Sequence, residues 1–154
     1  MENSKIEFLK NQFIPILQQV DARAKGKWGV LNGQQMVEHF SDAVRLASGK
    51  TKVPSVTPTE HLPKIRTFML SDNPFKENTL NPLMNKEGET IKQPSLKDAL
   101  AELQQELNYF FTAFVNNSSL MTTNPFFGDL NFEENVHLLH KHALHHLNQF
   151  GLVH

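Results

Sequence analysis

Residues 131–151, NFEENVHLLHKHALHHLNQFG, decide how this chain is read. Asn131 is a helix N-cap, Glu133 and Glu134 suit the positive end that follows, and Gly151 is a C-terminal stop. With His142 set to zero and about 100° per residue, His146 falls near 40°, Leu139 near 60° and Phe132 and Phe150 near 80°. Ala143 and Val136 complete an apolar stripe at about 100° and 120°. His142 and His146 therefore sit together on the edge of the buried face. His145 falls near −60°, His140 near 160° and His137 near −140°, off that stripe.

Working outward, three more helices share the apolar spacing of a bundle. The first covers Ser4 to Val20, with Ile6, Leu9, Phe13, Ile16, Leu17 and Val20 on one face and Pro15 placed to bend it. The second starts at Asn32, whose capping box is completed by Gln35, and ends at Ser48-Gly49. Met36, Phe40, Ala43, Val44 and Ala47 form its stripe, and His39 borders that stripe by the same angular count. The third begins with a Ser95/Asp98 capping box and carries Leu96, Leu100, Leu103, Leu107, Phe110, Phe111 and Phe114 inward. Between the second and third, Lys50 to Pro94 is proline-rich and irregular, with one short helix near Glu60 to Leu70. The segment Asn116 to Asp129 reads as turns. The expectation is one all-α domain over residues 1–154, a four-helix bundle with a long crossover between helices two and three, up-down-down-up.

The crossover has a consequence for the histidines. In a plain up-down-up-down bundle helices two and four run parallel, and His39 would miss His146 by ~12 Å. With the crossover they run antiparallel and the three imidazoles can meet. Three neutral imidazoles suit zinc or another first-row ion and leave positions open for water or substrate. The competing reading makes them border residues satisfied by hydrogen bonds or water. On the residues alone the two readings stand level. Phase places Gln149 and Asn135 beside His142 and Gln35 beside His39 as surrounding groups, and leaves His145 open between a further surrounding group and a neighbour at the pocket mouth. No His-Glu-x-x-His occurs, so the metalloprotease arrangement is missing. Trp28, Phe126-Phe127 and the phenylalanines of helix three read as core packing.

Bulk composition narrows the classes further. The 154 residues suffice for one buried core, and 39% hydrophobic with 20% charged residues is a globular composition. Fifteen basic residues against 16 acidic ones leave no electrostatic footprint for nucleic acid or a membrane surface. No apolar run approaches the roughly 20 residues that span a bilayer, and the N-terminus lacks a signal-peptide core. The absence of cysteine removes thiolate ligands, disulfides and a cysteine nucleophile. A cytoplasmic protein is expected.

His142-Ala-Leu-His145-His146-Leu-Asn-Gln149 resembles the last-helix signature of the DinB-like (DinB/YfiT) metalloprotein superfamily, His-x-x-His-His-x-x-Gln. WGVLNGQQMVEHFSDAVRLA, residues 28–47, resembles that superfamily's second helix, and NPFFGDL, residues 124–130, a branch described as a domain of unknown function. The resemblance covers most of the chain and is weakest from Lys50 to Pro94. It implies a crossover four-helix bundle with His39, His142 and His146 binding zinc, nickel or a similar ion. It also implies a small-molecule substrate, a homodimer, and transferase chemistry with low-molecular-weight thiols such as bacillithiol or mycothiol, or isomerase chemistry. The chain departs from it at Leu147-Asn148, where relatives often carry Arg-Gly. The expected function is thus a metal-dependent thiol transferase or hydrolase acting on a small electrophile. The alternative is a non-catalytic ligand-binding or assembly bundle whose metal site is vestigial or structural.

Overall fold

The computed structural model describes residues 2–79, 81–85 and 88–154. The chain starts with α1 (Glu2–Glu7), a π-helical turn over Phe8–Gln12, and α2 (Phe13–Leu17). This is where the sequence places one helix containing Pro15. Proline at 15 lacks an N–H, and its ring crowds the carbonyl four residues earlier, so the preceding turn widens: Phe13 donates to the Phe8 carbonyl five residues back.

Helix α3 spans Gly33–Ser48 and begins where the capping box lies, with Asn32 and Gln35 exchanging side-chain and backbone hydrogen bonds of 2.8 Å each. Gly49, at φ 80°, takes the left-handed turn that ends it. Helix α4 is Leu62–Leu70 and α5 is Leu96–Asn116. At the start of α5 the Ser95 hydroxyl accepts the Asp98 N–H and donates to the Asp98 carboxylate, a one-sided cap rather than the reciprocal box. Helix α6 covers Phe132–Gln149 behind a full capping box of Asn131 and Glu134. One continuous core joins Phe13 and Leu17 of α2, Met36, Phe40 and Val44 of α3, Leu103, Leu107 and Phe110 of α5, and Val136, Leu139, Ala143 and Leu147 of α6. Each of its largest side chains contributes about 1.5–3 kcal/mol by leaving water.

The all-α expectation needs correction. Residues Thr122–Asn124 (β1) and Gly128–Leu130 (β2) form a two-stranded antiparallel sheet, so the chain is mostly helical with a small hairpin rather than a plain four-helix bundle. The hairpin closes on a tight loop. The Asn124 side chain accepts the N–H groups of Phe126 and Phe127, Gly128 takes φ 81°, and the Thr123 hydroxyl bonds Asp129 across the strands. Thr122 then bonds the Ala47 carbonyl at the end of α3.

The long connection between α3 and α5 is held by polar side chains of the helices. Buried Glu38 accepts the backbone N–H groups of Lys92 (2.8 Å) and Gln93 (3.1 Å) and the Gln34 amide (3.0 Å). Gln34 also donates to the Gln93 carbonyl, and Gln35 to that of Glu89. Further along, the buried Lys141 ammonium satisfies the carbonyls of Phe68, Met69 and Ser71 at the end of α4, where a cation also suits the helix dipole. Arg66 of α4 reaches the hairpin carbonyls of Phe127 and Asp129 and the Glu134 carboxylate. Met69, Leu130 and Leu138 make a second, small core there, with Phe75 and Phe127 packed on it. Among the described residues, no helix is long and apolar enough to cross a membrane.

Candidate metal centre

The first half of α3 and the second half of α6 lie level with each other, and that brings three imidazoles together. One ring nitrogen from each of His39, His142 and His146 lies within 4.8 Å of the other two. Ring centroids are 5.3 Å apart for His39 with either partner and 4.5 Å for His142 with His146. The four-residue spacing on α6 stacks the last two on one face, with Nε2 facing Nε2 at 2.7 Å. Two lone pairs at that distance repel, so the contact requires a proton or a cation between them. Nitrogen ligands 2.0–2.1 Å from a tetrahedral zinc stand about 3.3 Å apart, a spacing this cluster brackets.

Burial sets the charge state. His146 is buried, and His39 and His142 are partly so. Desolvation, followed by the neighbouring imidazoles, holds His142 well below the ordinary imidazole range. Desolvation and His39 do the same to His146, against the opposing hydrogen bond to Gln149. Burial also lowers His39, although the carboxylates of Asp42 and Glu89 oppose it. Burial thus favours the neutral form of all three, the form in which imidazole offers a lone pair to a metal. Asp42 and Glu89 supply negative charge on the His39 side.

Aromatic groups form the floor and the mouth. The Phe40 ring lies under His142 at 5.1 Å and His146 at 6.5 Å. At the mouth His145, half-buried, stands 5.3 Å from His146, 5.5 Å from Trp28 and 6.2 Å from Phe75. Burial lowers the His145 pKa, and the Glu77 carboxylate opposes that shift. Beside this mouth a cleft of about 600 Å³ is lined by Lys27, Trp28, Glu77, Asn78, Asn148 and Leu152.

The other residues singled out from sequence divide. Gln149 touches the cluster, 2.7 Å from Nδ1 of His146. Gln35 does not; its amide is used by the α3 cap and the Glu89 carbonyl. Asn135 is buried away from the imidazoles and ties α6 to the hairpin through Thr122 and the Leu130 and Asn131 carbonyls. His137 is shared between Lys5 and the Ser71 carbonyl, and His140 packs on Phe8. Sequence reasoning missed Phe75, which no periodicity marks, and the part played by Trp28. Two glycines flanking Lys27-Trp28 were the available signal. Compared with profiles of known protein families, with curated proteins and with solved structures, the chain matches none.

Proposed function

We propose that this chain is a DinB-like metalloprotein that holds one divalent ion, zinc or nickel, on His39, His142 and His146 and acts on a small electrophile as a thiol transferase or hydrolase. The observation that carries the metal reading is the meeting of three imidazoles from two helices, with ligand atoms within 4.8 Å of one another. Three protein ligands leave coordination positions free, and an ion so held lowers the pKa of a bound water or thiol and polarises a substrate oxygen. The chain's own groups complement this. Phe40 closes the floor against water, His145 stands at the mouth as a group able to take or give a proton, and the adjoining cleft is of small-molecule size.

Thermal unfolding with zinc or nickel, before and after chelation, tests the metal reading. Saturating metal at a hundred times its Kd is worth about 2.7 kcal/mol, a clear upward shift that chelation reverses. No shift with either ion overturns it. Turnover of a model electrophile by the metal-loaded protein, with and without a low-molecular-weight thiol, tests the enzyme. Metal binding without turnover under either condition returns the non-catalytic bundle.

A further inference from the structure

His146 has a hydrogen-bond partner whose own orientation is fixed from outside the site. Gln149 is buried, and its Nε2 lies 2.8 Å from the backbone carbonyl of Trp28 while its Oε1 lies 2.7 Å from His146 Nδ1. A carbonyl oxygen only accepts, so the amide nitrogen must face Trp28. The amide oxygen then faces His146 and only accepts in turn, so His146 must carry its proton on Nδ1. Its Nε2 is left with a lone pair facing His142 Nε2.

The loop that supplies the carbonyl is shaped around this side chain. A Cβ on Gly26 would stand 2.8 Å from Gln149 Cγ, and one on Gly29 would stand 2.9 Å from Gln149 Nε2. The Lys27 N–H also donates to the Gln149 backbone carbonyl at 2.7 Å. Residues 26–29 thus grip both the backbone and the amide of Gln149. Among the described residues no other hydrogen-bond partner stands at that nitrogen, so a change at Gln149 frees His146 to take either tautomer.

We infer that Gln149, gripped by the Gly26–Gly29 loop, is a positioning residue that locks His146 in the Nδ1–H tautomer and so sets the affinity of the three-histidine site. The proposal rests on the metal reading for its affinity arm only; the tautomer arm stands without it. Both arms use the full chain as wild type, Gln149→Leu and Gln149→Glu. Glutamate keeps an acceptor for the Nδ1 proton and gives up only the donor to the Trp28 carbonyl, whereas leucine removes both at similar volume. Long-range nitrogen–proton NMR correlations report the tautomer, and zinc titration against a competing chelator reports the affinity. The expected result is Nδ1–H His146 in wild type and Gln149→Glu and mixed tautomers in Gln149→Leu. Zinc binding should weaken roughly 10–100-fold in Gln149→Leu and recover to within a few-fold in Gln149→Glu. A wild-type His146 protonated on Nε2, an unchanged tautomer in Gln149→Leu, or equal weakening in both variants overturns the proposal. If the wild type binds no zinc, the metal reading fails, and the tautomer spectra alone decide the role of Gln149.

Discussion

The site has two halves built on different principles. Its three imidazoles, His39, His142 and His146, stand on α3 and α6, whose backbones satisfy themselves and whose apolar faces fill the main core. Its walls, Trp28, Phe75, Glu77 and Glu89, stand on irregular segments that side chains from the helices must hold in place. Glu38, Gln34 and Gln35 hold residues 88–93, Lys141 holds the end of α4, and Gln149 holds the Trp28 loop. The difference teaches that position along a helix fixes where the imidazoles meet, while access to them depends on a few buried polar contacts. Mutations in the two halves should therefore separate metal affinity from stability and access.

Breaking the ligand half has the largest expected effect. His142→Ala or His146→Ala should weaken zinc more than ~100-fold in a chelator-competition titration, exceeding what a surrounding residue gives. The same half carries a pH signature. Histidines with lowered pKa bind fewer protons folded than unfolded, so stability rises with pH across the window between the folded and unfolded values. Chemical denaturation of the metal-free protein should thus show full stability above about pH 6.5 and a decline below it. His140, which burial lowers to about 4, adds to the same window.

Breaking an anchor of the wall half should cost stability and spare the metal. Glu38→Ala strands two backbone N–H groups and one of the two N–H groups of the Gln34 amide, and should lower the unfolding free energy by ~3 kcal/mol in urea titration. Zinc affinity should stay within about threefold of wild type, with faster amide exchange confined to residues 88–93. Phe75→Ala removes a half-buried ring from the small second core and from the mouth, for ~1–2 kcal/mol, less than a fully buried phenylalanine costs. Asn131→Ala, at the start of α6 and far along the helix from His142 and His146, should cost about 1 kcal/mol through its lost cap. A tenfold loss of zinc affinity in Phe75→Ala would erase the distinction between the halves.

The two halves were also unequally legible. Helical phase alone separated His142 and His146 from His137 and His140, because an α-helix fixes which residues share a face over many turns. Caps at Asn32 and Asn131 marked the helix starts for a similar local reason. From sequence the hairpin of β1 and β2 reads as turns: its three-residue strands are too short to show alternation, and the Asn124, Pro125, Gly128 and Asp129 signals of its loop dominate them. Gln35 and Asn135 have the correct helical phase, yet their amides are claimed by a cap and by the hairpin. Phase limits direction and cannot rank competing partners. Trp28 and Phe75 reach the site through loop geometry, for which residue spacing carries no signal.

The central claim, that three histidines from α3 and α6 form one divalent-metal site, is tested most directly by metal content. Wild type and His142→Ala are each equilibrated with zinc, desalted, and measured by elemental analysis at pH 7. The account predicts one zinc per wild-type chain and little in the variant at the same folded yield. An equal metal content in the two proteins would contradict it.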